Sequence, residues 1–99
     1  MSARILIVED EPAIAELLAI TLTRSGHTPL LAADAPGAER LLGKQGVDLA
    51  LVDWMLPGVS GIEFIRRLRR DDVTKAMPVI MLTARGEESD VIKGLDARR

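Results

Sequence analysis

No cysteine occurs in the 99 residues, which rules out both a disulfide framework and a thiolate metal site and makes a reducing cytoplasm the expected compartment. Histidine is almost as scarce. His27 is the only one, it follows Gly26 in a turn, and it has no companions of metal-ligand type, so a structural zinc site is excluded as well. Long apolar runs are missing too: the opening MSARILIVEDEP is broken by acids after a few residues and reads as neither signal peptide nor membrane span. Neither sign of charge dominates, with 13 Lys and Arg against 15 Asp and Glu and a net charge of −2. That balance argues against nucleic-acid binding by this domain, because phosphate neutralisation needs a clustered excess of basic residues. The arginines at 66, 67, 69 and 70 leave the apolar positions of their helix free and read as a solvated face.

What is present is an ordinary globular mixture, 47% hydrophobic and 28% charged, in a length that suits one small domain with one core. Apolar runs bounded by turn residues alternate with stretches of helical period, the pattern of an α/β fold around a parallel sheet. RILIV at residues 4 to 8 is short and wholly apolar after its first residue, as in a strand buried on both faces, and it ends abruptly at Glu9-Asp10-Glu11. Pro12 opens a helix over roughly 12 to 25 with Ile14, Leu17, Leu18 and Leu22 at helical spacing and Gly26 as its stop. Thr28 to Ala32 is a weaker strand pattern. Asp34 and Pro36 begin a second helix carrying Ala38, Leu41 and Leu42, with Gly43 and Gly46 closing it. DLALVD at 48 to 53 is a third strand, LPGVSG a turn, and Ser60 the cap of a helix bearing Ile62, Ile65 and Leu68. Pro78 opens a fourth strand, PVIMLT, and residues 87 to 97 form a last helix with Val91, Ile92 and Leu95 as a thin apolar stripe.

In open parallel sheets, ligands bind beyond the carboxyl ends of the strands, where strand order reverses. The first strand ends at Glu9 and Asp10, the third at Asp53 and the fourth at Thr83 and Ala84, so three carboxylates and a hydroxyl could share one rim. Carboxylates held close resist ionising together unless a cation offsets them. An all-oxygen donor set without Cys or a nearby His favours a hard divalent ion, above all Mg²⁺. A carboxylate beside such an ion can take a phosphoryl group as an acyl phosphate. Each residue also has a plainer reading: Glu9-Asp10-Glu11 as acids at a helix N-terminus, Asp53 as a turn cap, Thr83 as a β-branched strand residue, and Trp54 as cover for the sheet end.

Through ILIVEDEP, LALVDWMLPGVSGIEFIRRLR and PVIMLTARGEESDVIKGLDA, the sequence resembles the receiver domains of two-component response regulators over essentially its whole length. DWMLPG and TARGEE are most similar to the OmpR/PhoB transcription-factor class. The resemblance implies a doubly wound, flavodoxin-like (CheY-like) fold with strand order 2-1-3-4. It implies Asp53 as phosphoacceptor, Glu9 and Asp10 as the acidic pair holding Mg²⁺, and the Met55 backbone carbonyl as a further ligand. Thr83 becomes the switch hydroxyl that meets the phosphoryl group, and Ala84 offers its backbone N–H. A sensor histidine kinase is the implied donor, and dimerisation with transcriptional control the implied output of an intact parent. His27 matches no phosphorelay position.

Residues 1–99 are thus expected to be a single receiver domain, without the fifth strand, the lysine after it and the fifth helix that the family pattern carries, and without an output domain. Lys93, inside the last predicted helix, does not replace that lysine. An exposed fourth strand invites non-native association, and phospho-switching is expected to be impaired. Two other classes remain to be tested. A Mg²⁺-dependent aspartyl phosphohydrolase would place a second acid where Met55 stands, and a flavin or nucleotide module would want a phosphate-binding loop where Glu9-Asp10-Glu11 lies.

Overall fold

The computed structural model describes residues 2–82. In chain order it contains β1 (Arg4–Val8), α1 (Pro12–Arg24), β2 (Thr28–Ala32), α2 (Ala35–Lys44), β3 (Leu49–Asp53), α3 (Gly61–Arg70) and β4 (Val79–Leu82). The four strands make one sheet in the order β2-β1-β3-β4, every pairing parallel. This is the expected doubly wound arrangement, and it explains why the strands read as continuous apolar runs: helices cover both faces. Leu6, Val8, Ala50, Val52, Val79 and Met81 face one way, packing with Ala35 and Ala38 of α2 and Phe64, Ile65 and Leu68 of α3. Ile5, Ile7 and Leu51 face the other way, against Leu18, Ala19 and Leu22 of α1. Thr83, Ala84 and the helix expected over residues 87 to 97 lie outside the described residues.

Local chemistry sets the helix ends. Asp34 accepts a 2.8 Å hydrogen bond from the Gly37 N–H, and the Ser60 hydroxyl accepts one of 3.2 Å from the Glu63 N–H, so both expected caps form. Asp34→Ala and Ser60→Ala are each expected to cost about 1 kcal/mol, read as a lowered urea midpoint at unchanged slope. Gly26, at φ +89°, ends α1 as expected, with the His27 N–H donating to the Leu22 carbonyl at 3.0 Å. Gly43 does not close α2. The helix runs through it to Lys44, and a Cβ there would meet nothing within 4 Å.

The connection from α3 to β4 has no periodicity to announce it, yet it is firmly held. The buried Thr74 hydroxyl donates to the Leu68 carbonyl at 2.8 Å, and Arg69 Nη1 donates to the carbonyls of Lys75 and Met77 at 3.0 and 2.6 Å. These bonds end α3 and feed Val79 into register with Ala50.

Candidate functional site

Register brings the acids together. Val8 pairs with Val52, so the residues one step further along, Glu9 and Asp53, leave the sheet side by side at its carboxyl edge. The Glu9 N–H continues the ladder to the Ala32 carbonyl at 3.0 Å, and the Trp54 N–H reaches the Leu82 carbonyl at 2.9 Å, so both strand ends are held beyond their last paired residue. Glu9, Asp10 and Asp53 each present a carboxylate oxygen within 4.8 Å of the others. Glu9 and Asp53 are buried, at 5% and 4% exposure, whereas Asp10 is exposed.

A second close approach fixes Asp53 from below. At Gly61, the first residue of α3, the Cβ of any other residue would sit 2.2 Å from the Asp53 carbonyl oxygen. The Gly61 N–H meanwhile donates to the Trp54 carbonyl at 3.0 Å. The α3 N-terminus therefore abuts the end of β3, and only glycine permits it. Gly58, at φ +79°, turns the intervening loop. Met55 lies in that loop with its side chain half exposed.

Burial, together with the Asp53 and Asp10 carboxyls alongside, pushes Glu9 from 4.5 up to about 7, although a 3.2 Å hydrogen bond from the Glu11 N–H opposes the shift. Among the described residues no Lys, Arg or His forms an ion pair with any of the three acids. Two buried, uncompensated carboxyls and an all-oxygen donor set fit a hard divalent cation. Oxygens within 4.8 Å of one another are close enough to share one such ion, directly or with a ligand acting through water.

The Glu9 shift has a defined sign. A folded-state value above the unfolded one means that the native protein binds the extra proton, so this contribution to stability is complete below pH 4.5 and disappears as pH rises through about 7. Metal-free protein is expected to lose on the order of 2–3 kcal/mol across that window. Mg²⁺, which binds the ionised form, should restore it increasingly above pH 7. Urea denaturation with and without Mg²⁺ at pH 5 and pH 8 checks this, and a Mg²⁺ increment no larger at pH 8 than at pH 5 contradicts it.

The sequence thus located the acids but missed Gly61. Its one signal was a poor helix former placed directly behind the capping Ser60. The Thr83 and Ala84 positions lie outside the described residues.

Known proteins align with this architecture. The family model for the response regulator receiver domain matches residues 5–98. The phosphate regulon transcriptional regulatory protein PhoB of Escherichia coli (strain K12) is 49% identical over 96 residues, which cover 97% of this chain and 42% of PhoB. The transcriptional regulatory protein AfsQ1 of Streptomyces coelicolor is 43% identical, with 94% of this chain and 40% of that protein covered. The chain therefore spans about two fifths of the length of these relatives. Among solved structures, a putative response regulator from Chloroflexus aurantiacus J-10-fl superposes with a TM-score of 0.91 at 34% identity, covering 98% of this chain and 80% of that one. Chemotaxis response regulator CheY4 of Vibrio cholerae gives 0.87 at 27% identity, covering 98% and 81%. With the sheet order, the acid cluster and the family match in agreement, the chain belongs to the response regulator receiver domain family of two-component signalling proteins.

Proposed function

We propose that Asp53 is the phosphoacceptor, and that Glu9, Asp10, Asp53 and the Met55 backbone carbonyl hold the Mg²⁺ that assists the transfer. The observation that carries this reading is the convergence of three carboxylates within 4.8 Å at the carboxyl edge of the sheet, with no cationic side chain among the described residues to balance them. Mg²⁺ bound there supplies charge neutralisation for the transferring phosphoryl oxygens. The Asp53 carboxylate attacks phosphorus, an O–P bond forms, and the P–N bond to the phosphohistidine of a sensor kinase breaks, the imidazole leaving with its electron pair and taking a proton.

Residues 1–99 act in this reading as one receiver domain. Thr83 and Ala84 hydrogen-bond the phosphoryl group carried by Asp53, through hydroxyl and backbone N–H, which shifts a two-state equilibrium and, in a longer parent, dimerisation and transcription. The domain itself makes no nucleic-acid contact. Among the described residues no helix is long and apolar enough to cross a membrane. The cytoplasm is the setting this reading assigns, because the phosphohistidine donor is made there from ATP. Incubation with phosphoramidate and Mg²⁺ followed by peptide mass spectrometry tests the assignment: the phosphoryl mass should fall on the peptide containing Asp53 and depend on Mg²⁺.

A further inference from the structure

β2 is an edge of the sheet, with β1 as its one neighbour. The Thr28 N–H donates to the Ala3 carbonyl at 2.8 Å, and the Ala32 carbonyl accepts from the Glu9 N–H at 3.0 Å. Residues 28, 30 and 32 therefore turn their backbone groups towards β1, and by alternation the groups between them point away from the sheet. Edges of this kind are ordinarily blunted. Pro29 removes one outward donor, yet the carbonyls of Pro29 and Leu31 and the N–H groups of Leu31 and Ala33 remain open to pairing. On the α1 side of the same edge lies a groove of about 820 Å³ walled by Ala15, Ala19, Ile20 and Leu31. Ile20 and Leu31 are 43% and 51% exposed, so its middle is open and apolar. Asp10 and Glu16 lie towards the carboxyl edge of the sheet and Arg24 at the far end, about 12 Å of helix axis from Glu16. Neither Glu16 nor Arg24 has an ion-pair partner among the described residues.

We propose that this edge and its groove dock an extended segment of another protein, which joins the sheet as a further strand parallel to β2. Parallel addition uses every open group and has no need of the N–H that Pro29 lacks. A segment residue opposite Leu30 bonds the Pro29 carbonyl and the Leu31 N–H, and one opposite Ala32 bonds the Leu31 carbonyl and the Ala33 N–H. An antiparallel strand would instead set a residue opposite Pro29 whose carbonyl finds no donor. The alternate residues of the segment turn their side chains to the α1 face, beside Pro29, Leu31 and Ala33 in turn. The first then stands nearest Arg24, the second against Leu31 and Ile20, and the third nearest Glu16 and Asp10. Charge complementarity makes the segment acid-x-apolar-x-base from its N-terminal end. Its outer side chains lie about 13 Å apart, which matches the separation of the groove's charges. The acid end of the groove includes Glu9 and Asp10 but not Asp53, and docking requires neither Mg²⁺ nor a phosphoryl group.

The probe is a fluorescein-labelled peptide with blocked ends and the sequence Glu-Thr-Val-Thr-Lys flanked by threonines, titrated with the chain without Mg²⁺ and read by fluorescence polarisation. Binding is expected with a dissociation constant below about 1 mM. N-methylation at either threonine between the glutamate and the lysine removes a bond to the β2 edge and should weaken binding at least about fivefold. N-methylation at the valine, whose N–H points away from β2, should leave it within about twofold. Arg24 is exposed and outside the core, so Arg24→Glu should leave the fold intact. It should weaken the parent peptide at least about threefold and favour a peptide with lysine in place of the glutamate. Absence of binding up to about 1 mM overturns the proposal. Loss on methylation at the valine rather than the threonines overturns parallel addition, and binding indifferent to Arg24→Glu overturns the charge pairing. Self-association of the chain that excludes the peptide, seen by sedimentation equilibrium, would assign the edge to a second copy and overturn the proposal as well.

Discussion

Gly61→Ala is expected to lower the stability of the fold by about 2–3 kcal/mol and to weaken Mg²⁺ binding at least about tenfold. The added Cβ would lie 2.2 Å from the Asp53 carbonyl oxygen, 3.1 Å from its carbonyl carbon and 3.2 Å from the Trp54 Cα. All three are backbone atoms, so no side chain can swing aside. Either α3 retreats, losing the Gly61 N–H bond to the Trp54 carbonyl and disturbing the packing of Phe64 and Ile65, or the end of β3 shifts and carries Asp53 with it. Alanine's better helix propensity returns roughly 1 kcal/mol at most, too little to reverse the sign. Gly43→Ala is the control. That glycine lies within α2 with open space where its Cβ would be, and the same substitution there should stabilise by about 0.5–1 kcal/mol. Urea denaturation checks both, and Trp54, the sole tryptophan and the neighbour of Asp53, provides a fluorescence signal for the Mg²⁺ titration.

Asp53→Asn should have two opposed effects. It removes the nucleophilic carboxylate, so phosphoryl uptake on the β3 peptide should fall to background. It also removes one of the like charges crowding Glu9, so the metal-free variant is expected to be more stable than the parent above pH 7, by on the order of 1 kcal/mol, with a weaker dependence on pH. Burial alone would still keep Glu9 above its ordinary value, since it is the largest cause of the shift. Stability gained together with function lost is the mark of a site held under electrostatic tension. Stability lost in Asp53→Asn would instead give the Asp53 carboxylate a structural capping role. Denaturation at pH 8 without Mg²⁺, beside the phosphoryl-transfer assay, separates the two.

Much of this arrangement was legible in the chain. The strand-ending acids at 9, 10 and 53 stood out because apolar runs buried on both faces stop abruptly at charge, and parallel pairing forces those ends to one edge. The caps at Asp34 and Ser60 were equally readable, since they depend on residues three positions apart. Less accessible was anything decided by contact between distant segments. Glu9 and Asp10 are neighbours in sequence, but one is buried and the other exposed, and side-chain alternation past a strand end has no fixed rule. Gly61 looked like part of a turn until its approach to Asp53 gave it a steric reason. Arg69 looked like one of four solvated arginines, whereas its guanidinium secures the carbonyls of Lys75 and Met77. Gly43 shows the reverse error, a glycine read as a stop in a helix that passes through it.

The most direct test of the central claim is the site and metal dependence of phosphoryl transfer in this chain. Treated with phosphoramidate and Mg²⁺, the protein should gain the mass of a single phosphoryl group on the peptide spanning β3. The adduct should be lost in Asp53→Asn and suppressed when Mg²⁺ is chelated or when Glu9 and Asp10 are both changed to their amides. A phosphoryl group on any other residue, or one that forms on Asp53 equally well without Mg²⁺, would contradict a metal-assisted aspartyl phosphoacceptor at this edge of the sheet.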